Sequence, residues 1–380
     1  MMSLDTYCLL GRTGLRVSRL ALGTMTFGKE WGWGSDEETS RAVFNHYLDA
    51  GGNFLDTADI YTLGTSESWL GKFVAERKAR DRVVIATKFT QNMQPGNPNG
   101  GGNGRKNILR AVEGSLRRLN TDYIDLYILH QWDALTPVDE VIRTLDDLVR
   151  SGKVRHVGLS DVPAWYAASM QTTAELRGLE PISSIQMQYS LVERNIEHEF
   201  VALGLAKGMS ITAWSPLASG LLSGKYRSGG AEQGGRGRLD MLAAIARKAE
   251  APKKRGSANS TLDQRNERSA AILAEVENVA REIGRSVAQV ALNWAMNRPC
   301  IASVLIGASR LEQLEENLAA ADFDIPPALL ARLDAVSHPE TPFPYTFFGG
   351  DWQQRIRGGR TVLAKPPGYY RDGLIESGNP

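Results

Sequence analysis

Four polar residues stand at or just after the ends of apolar runs in the sequence. Asp56 closes the run NFLD and Tyr61 follows it five residues later, while Lys88 closes VVIATK and His130 closes YIDLYILH. If these runs are strands of a parallel barrel, their carboxyl ends meet at one mouth, where such folds carry their reactive groups. We therefore expect the four side chains to converge on one site.

This set of side chains is suited to giving a proton to an oxygen atom. A tyrosine alone is a poor acid, with a free pKa of about 10. A lysine ammonium ~4 Å away stabilises its anion by roughly 4 kcal/mol in an effective dielectric of ~20. Asp56 would keep Lys88 charged and fix its direction, and a neutral His130 would donate a hydrogen bond to a substrate oxygen. The other half of a reduction is a hydride, which no side chain supplies, so such a site requires a nicotinamide.

Each of these residues has a structural interpretation when it is taken alone. Asp56 and Lys88 could form an ion pair at the barrel mouth, Tyr61 could be an aromatic residue of the rim, and His130 could be a histidine of the core. Their joint occurrence at the ends of three successive strands favours a catalytic site over these alternatives.

The elements that must position these residues alternate between short β-rich runs and longer amphipathic stretches. The spacing of apolar residues indicates helices over Asp36–Ala50, Lys106–Leu119 and Val138–Val149. Most strands recur about every 30 residues, the size of one βαβ unit, and eight of them predict a (β/α)8 TIM barrel of the α/β class. An open doubly wound sheet is the alternative, but its GxGxxG turn does not follow the first strand. The predicted strands are Leu20–Gly23, Asn53–Asp56, Val83–Lys88, Ile124–His130, Val154–Ser160, Ile182–Tyr189, Ile211–Ser215 and Ser303–Ile306.

Three segments fall outside this period. Tyr7–Leu10 and Leu15–Val17 flank a glycine-containing turn of hairpin length, which predicts an N-terminal β-hairpin before the barrel. Ser228–Arg268 is rich in Gly, Lys and Arg, and we expect a helical core at Met241–Ala249 with mobile flanks on either side. We predict one barrel domain over residues 1–337 and a C-terminal tail over residues 338–380 that packs on the barrel or is partly disordered.

Composition excludes several classes of partner. The formal net charge is +1, which provides no field to attract nucleic acid or an anionic membrane. The two cysteines, Cys8 and Cys300, form neither a disulfide framework nor a zinc motif, so no metal is expected and a reducing compartment is indicated. The sequence has no signal peptide and no run of the ~18 apolar residues that a membrane helix needs. We therefore expect a cytoplasmic protein that acts on a small molecule.

Six segments of the chain resemble the aldo-keto reductase family, in the family's order from about Leu9 to Asp324. The resemblance implies a barrel with Asp56, Tyr61, Lys88 and His130 as its catalytic residues. It also implies that Tyr61 is the general acid in carbonyl reduction and the base in the reverse reaction. The segments are GGNFLDTADIYTLGTSESWLGK, ATKF, DLYILHQWD, GKVRHVGLSD, AWSPLASGLLSGKY and LIGASRLEQLEEN.

The same resemblance implies NADP(H) as the cofactor and carries its binding positions onto this chain. Ser160, Asp161 and Gln186 would hold the nicotinamide carboxamide, and Trp214 would stack on the nicotinamide ring. Arg310 begins a helix, and both its forked donors and the helix N-terminus favour a phosphate, here the adenosine 2′-phosphate. Many relatives carry Asn where Asp161 stands, and Asp161 can only accept hydrogen bonds when it is ionised. The remaining implied cofactor residues are Gly23, Thr24, Met25, Asp56, Ser215, Pro216, Leu217, Gly220, Lys225, Gly307, Ser309, Gln313, Glu316 and Asn317.

Aromatic residues on the predicted mouth loops suggest the kind of carbonyl substrate. They predict an apolar pocket for aromatic or medium-chain aldehydes and ketones, unless the rings pack against the tail instead. Two further functions stay open, because the same residues would serve them: a cofactor-binding redox sensor that turns over slowly, and a dehydrogenase of sugars or alcohols. No particular oligomeric state is predicted. The substrate residues proposed from this pattern are Phe27, Trp31, Trp33, Phe89 and Trp132.

Overall fold

The computed structural model describes residues 4–224 and 265–360. Its centre is a closed barrel of eight strands, β3 to β10, in which every neighbouring pair with a recorded register is parallel. This arrangement confirms the predicted TIM barrel. The strands are β1 Tyr7–Leu9, β2 Arg16–Ser18, β3 Leu20–Gly23, β4 Phe54–Asp56, β5 Val84–Phe89, β6 Ile124–Leu129, β7 Val154–Ser160, β8 Ile182–Gln188, β9 Ser210–Trp214 and β10 Ile301–Gly307.

Helices alternate with the barrel strands along the chain, and the sequence pattern explains their positions. In the fourth helix the apolar residues Val141, Ile142, Leu145 and Leu148 are buried on one stripe, the arrangement expected of an amphipathic surface helix. The three helices predicted from apolar spacing are present within one residue at each end. The helices are α1 Glu37–Asp49, α2 Thr65–Glu76, α3 Arg105–Leu119, α4 Val138–Arg150, α5 Ala164–Arg177, α6 Phe200–Lys207, α7 Glu267–Ile283, α8 Val287–Met296, α9 Leu311–Leu318, α10 Pro327–Ser337 and α11 Gly350–Ile356.

The predicted N-terminal hairpin is confirmed as the antiparallel pair β1–β2, in which Tyr7 is opposite Ser18. Its turn contains Gly11, whose φ of 59° lies in the left-handed region. A Cβ at Gly11 would overlap the carbonyl oxygen of Ser183. A glycine is therefore required where the hairpin approaches β8.

Three strands end one residue earlier than the sequence pattern predicted, at Leu129, Gln188 and Trp214. Ser215 lies outside β9 because its φ of 53° is left-handed and leaves the β region. His130 follows β6, and its backbone N–H donates to the carbonyl oxygen of Phe89 at 3.0 Å. These residues thus occupy the loops at the barrel mouth rather than the sheet itself.

The predicted segment over 228–268 is described only from residue 265, and it ends at the start of a helix. Helix α7 begins at Glu267, and Asn266 caps it because its side chain accepts a hydrogen bond from the backbone N–H of Ser269. The hydroxyl of Ser269 accepts from the backbone N–H of Asn266 in return, which completes a capping box. Residues 228–264, which include the predicted helical core at Met241–Ala249, lie outside the described residues, as do residues 361–380 of the predicted tail.

The chain divides into two compact units. One consists of Met1–Met187, Glu199–Trp214 and Pro299–Ala321, and it holds the barrel. The other consists of Gln188–His198, Ser215–Arg298 and Asp322–Pro380, and its described part includes α7, α8, α10 and α11. The prediction of a domain boundary after residue 337 stays a prediction. None of the described helices is long and apolar enough to cross a bilayer.

Candidate active site at the barrel mouth

A buried lysine is at the centre of the candidate site. The Lys88 ammonium donates to Asp56 Oδ1 at 2.5 Å, to the carbonyl oxygen of Thr57 at 2.8 Å and to the hydroxyl of Tyr61 at 3.3 Å. Both members of the ion pair are almost fully buried, with 0% and 1% of their side chains exposed. A lysine ammonium has three N–H donors, so these three acceptors satisfy all of them and fix its direction.

The turn after β4 carries Tyr61 to this lysine. The backbone N–H of Asp59 donates to the carbonyl oxygen of Lys88, which joins the turn to β5. Tyr61 then begins a 3-10 turn, Tyr61–Gly64, that leads into α2. Gly64 has a φ of 97°, and a Cβ there would come within 2.8 Å of the Arg118 side chain. The fold therefore depends on glycine at the position where this turn joins α2.

His130 lies beside Tyr61, with ring centroids 5.8 Å apart and an edge-to-face angle of 76°. Burial and the positive charge of Lys88 lower the pKa of His130 to about 3. Its buried Nδ1 has no hydrogen-bond partner among the described residues. Around Lys88 the balance is different: burial acts to lower its pKa, but Asp56 and Tyr61 outweigh burial and the pKa of Lys88 is raised. At neutral pH the site thus holds a neutral imidazole and a charged ammonium.

The ends of β7, β8 and β9 bring further polar groups to the same unit. Gln186 donates from Nε2 to Asp56 Oδ2 at 2.8 Å, which holds the second carboxylate oxygen of Asp56. Trp214 donates from its indole N–H to Asp161 Oδ1 at 3.1 Å, and Ser160 Oγ lies 3.4 Å from Asp161 Oδ2. Burial raises the pKa of Asp161 to about 6. Asp161 is therefore a partner for the indole of Trp214, which the sequence did not indicate.

This set of side chains fits the carboxamide of a nicotinamide in its chemistry. A carboxamide has two N–H donors and one carbonyl acceptor. Ser160 offers a hydroxyl that both donates and accepts, and Gln186 keeps a carbonyl oxygen as an acceptor because only its Nε2 is used by Asp56. Asp161 offers carboxylate oxygens. Both donors and acceptors are thus present at the ends of neighbouring strands.

The segment after β10 forms a turn at the start of α9. Gln313 Oε1 accepts from the backbone N–H and the hydroxyl of Ser309, at 3.0 and 3.1 Å, which closes the turn. Asn317 Nδ2 lies 3.5 Å from the carbonyl oxygen of Gly307. Arg310 is exposed, and its side chain has no ion-pair partner among the described residues. An unpaired guanidinium next to a helix N-terminus fits a phosphate group.

The residues implied for the cofactor at the end of β3 and in α9 lie in the barrel unit. Thr24 is fully buried, and its hydroxyl bonds to the carbonyl oxygen of Asp56 and to Ser66. These bonds support the end of β4, and the assignment of Thr24 to the cofactor stays a prediction. Gly23, Met25 and Glu316 lie in the barrel unit, at the end of β3 and in α9.

The stretch Ser215–Gly220 belongs to the second unit and is described by itself. Ser215 closes a tight turn, because its carbonyl oxygen accepts from the N–H of Ala218 and its hydroxyl accepts from the N–H of Ser219. Pro216 is buried and Leu217 is partly exposed. Lys225 lies outside the described residues.

The structure separates the five predicted substrate aromatics into two groups. Trp31 and Trp33 are partly exposed, and the ring of Trp31 is edge-on to Tyr61, with centroids 6.3 Å apart. Trp132 is 39% exposed. By contrast, Phe27 and Phe89 are fully buried, so the structure adds no support to their assignment to the substrate, which stays a prediction. Their rings pack in the interior, Phe27 against Phe73 and Phe89 stacked on Tyr127.

The sequence analysis missed two residues near the site. Trp165 is 59% exposed and lies edge-on to Trp132. It stands in the first turn of α5, the helix that follows β7. Its position four residues after Asp161 was the available signal. Asp59 is buried with an unpartnered Oδ1 among the described residues, and burial together with Glu67 raises its pKa to about 7. No group of acidic, His or Cys side chains within residues 4–224 and 265–360 could hold a metal ion.

Comparison with protein-family models gives one match, to the aldo/keto reductase family, over residues 19–338. Among curated proteins, the chain is 35% identical to an uncharacterized oxidoreductase, YrpG, of Bacillus subtilis, over 90% of this chain and 99% of the relative. It is 31% identical to an aryl-alcohol dehydrogenase [NADP(+)] of Phanerodontia chrysosporium, over 94% of this chain and 90% of the relative. It is 34% identical to a probable voltage-gated potassium channel subunit beta of Oryza sativa, over 86% of this chain and 95% of the relative.

Proposed function

The chain belongs to the aldo/keto reductase family of oxidoreductases, and from that premise we propose that it reduces aldehydes and ketones to alcohols with NADPH. The observation that carries the proposal is the buried Lys88 ammonium, which joins Asp56 to the hydroxyl of Tyr61. This geometry is suited to a proton donor whose anion is stabilised by an adjacent positive charge.

In the proposed reaction Tyr61 gives its phenolic proton to the carbonyl oxygen of the substrate. Lys88 stabilises the resulting tyrosinate, and Asp56 keeps the ammonium charged and directed at Tyr61. His130, which is neutral at pH 7, donates a hydrogen bond from its second ring nitrogen to the same carbonyl oxygen and orients it. Bound NADPH supplies the hydride that reduces the carbonyl carbon. The reverse reaction uses Tyr61 as the base.

We propose that the cofactor's carboxamide is held by Ser160, Gln186 and Asp161, and that Trp214 lies against its ring. The bond from Trp214 to Asp161 supports this assignment because it fixes the indole at the end of β9. Arg310 supports a preference for NADPH over NADH, since its guanidinium is available for a 2′-phosphate. Ser309, Gln313 and the other implied positions remain part of the proposal.

An apolar carbonyl compound is the substrate class that these surroundings favour. The ring of Trp31 is edge-on to Tyr61, and the ring centroids of Trp31 and Trp33 are 5.7 Å apart. Two aromatic rings therefore lie beside the proposed proton donor. The similarity to an aryl-alcohol dehydrogenase of Phanerodontia chrysosporium agrees with an aromatic substrate. We also propose a reducing compartment, the cytoplasm, because Cys8 and Cys300 are free thiols.

The test is the rate of NADPH consumption with 4-nitrobenzaldehyde in the wild type and in Tyr61→Phe. Loss of a general acid lowers kcat by about 10²- to 10⁴-fold, while NADPH binding, followed by fluorescence, should be unchanged. Tyr123→Phe, next to the opposite end of β6, is the matched control and should keep full activity. Wild-type turnover that survives in Tyr61→Phe would refute the role of Tyr61.

A second candidate function is a cofactor-binding subunit that turns over slowly. The similarity to the probable potassium channel subunit beta of Oryza sativa favours it. The same experiment separates the two functions: tight NADPH binding with negligible turnover across a panel of aldehydes would support the subunit and contradict the reductase.

A further inference from the structure

Two tryptophans at the barrel mouth expose a large apolar surface that the proposed reaction does not use. Trp132 is 39% exposed and Trp165 is 59% exposed. Their rings meet edge to face, with centroids 6.1 Å apart and an angle of 85°. Contact between such an exposed aromatic pair and water is unfavourable, so covering the pair with an apolar partner lowers the free energy.

The chain connects this pair directly to the candidate site. Trp132 stands two residues after His130, and its backbone N–H donates to the carbonyl oxygen of Asp161 at 3.3 Å. Asp161 in turn holds Trp214 through its carboxylate. Trp165 follows on the first turn of α5. The pair therefore lies at the carboxyl ends of β6 and β7, on the same rim as His130.

Hydrogen bonds brace the loop that carries Trp132. Asp133 accepts from the backbone N–H of Asn103 at 3.0 Å and from the backbone N–H of Leu135 at 2.8 Å. Asn103 donates from its side chain to the carbonyl oxygen of Gln131 at 3.0 Å. On the other side, Trp165 is edge-on to the buried ring of Tyr166, with centroids 5.7 Å apart. Both tryptophans are thus held in place before any ligand binds, which lowers the entropy lost on binding.

We propose that Trp132 and Trp165 form a distal aromatic subsite for the second ring of a multi-ring aryl aldehyde or ketone. The first ring and its carbonyl group would lie against Tyr61, His130 and Trp31. This inference rests on the proposed carbonyl reduction and narrows its substrate class to compounds with a ring beyond the one that bears the carbonyl. Trp132 stands two residues after His130, and the pair lies on the same rim of the barrel mouth. This position favours the substrate over another protein as the occupant of the pair.

The test compares kcat/KM for benzaldehyde and biphenyl-4-carbaldehyde in the wild type, Trp165→Ala and Trp165→Phe. Trp165→Ala should lower kcat/KM for the two-ring aldehyde about tenfold, which is about 1.4 kcal/mol, and mainly through KM. Benzaldehyde should change less than twofold, and Trp165→Phe should recover most of the loss. Leu176→Ala is the matched control, because Leu176 is an 81% exposed apolar residue at the far end of the same helix.

Equal losses on both aldehydes would overturn the subsite and indicate a general effect on the site. No loss of kcat/KM on either aldehyde would also overturn the subsite. A dimer that Trp165→Ala converts to a monomer in sedimentation would instead identify the surface as an interface between copies of the chain. Calorimetric binding of biphenyl-4-methanol and benzyl alcohol tests the subsite independently of turnover. If the wild type reduces neither aldehyde, the proposed function fails, but a preference for the two-ring alcohol that Trp165→Ala abolishes still supports the subsite.

Discussion

Asp59 is a buried carboxyl group whose protonation should control the stability of the protein near neutral pH. It is 2% exposed, and its Oδ1 has no partner among the described residues. Glu67 faces it, and the nearby Arg118 and Arg110 only partly offset the cost of burial and the charge of Glu67. As a result the pKa of Asp59 is raised from 3.8 to about 7.

The sign of the effect follows from which state holds the proton. Between pH 4 and 7 the folded protein keeps a proton on Asp59 that the unfolded chain has lost, so the free energy of unfolding falls as pH rises. A difference of about 3 pKa units at ~1.36 kcal/mol each gives about 4 kcal/mol across this window. Below pH 4 the contribution is complete, and above pH 7 it has been lost.

Asp59→Asn removes the titration and keeps the volume of the side chain. We expect the variant to gain stability relative to the wild type as pH rises, by up to about 4 kcal/mol between pH 4 and 8. Urea unfolding of both proteins at several pH values measures this difference, in which the titration of all other groups cancels. Asp122→Asn, at an exposed position, should give a flat difference. A flat difference for Asp59→Asn as well, or a wild type that gains on the variant toward pH 8, would refute the argument.

Two further predictions concern the candidate site. Because burial and Lys88 lower the pKa of His130 to about 3, the imidazole should not titrate between pH 5 and 8. His130→Gln should therefore lower kcat/KM and leave the acidic limb of the pH profile of kcat/KM unchanged. An acidic limb that disappears in the variant would contradict this. Arg310→Ala should weaken NADPH binding by roughly 10- to 100-fold, the value of a charge-assisted hydrogen bond of about 1.5–3 kcal/mol, and leave NADH binding unchanged in a fluorescence titration; equal weakening of both cofactors would exclude a 2′-phosphate contact.

Much of the barrel, and the approach of the four proposed catalytic residues to one another, could be predicted because both depend on one strong pattern. Buried parallel strands are continuous apolar runs, and a polar residue that ends such a run is at the sheet's edge. Asp56 is the last residue of β4, and Lys88 is the last but one of β5, the neighbouring strand, so their approach follows from the topology once the strands are identified. The sequence also indicated that Arg310 stands at the start of a helix, because helix ends have local sequence signals.

The residues that could not be predicted depend on tertiary packing. Phe27 and Trp31 occur in the same loop after β3, yet the ring of Phe27 is buried against Phe73 while Trp31 remains partly exposed beside Tyr61. Hydrophobicity is the same in both cases, and only the path of the loop separates them. The raised pKa of Asp59 likewise arises from its burial near Glu67, which lies on α2. No local pattern in the sequence reports such an approach.

The burial of Lys88 itself is best explained by chemistry rather than by stability. Moving an ammonium and a carboxylate out of water costs several kcal/mol for each ion, and their mutual attraction often does no more than balance that loss. An apolar pair of similar volume would pack the same space without the loss. Only the ammonium, however, can direct its third N–H at the hydroxyl of Tyr61 once Asp56 and the carbonyl oxygen of Thr57 have taken the other two. The fold thus keeps a buried ammonium beside Tyr61, where the proposed tyrosinate would need it.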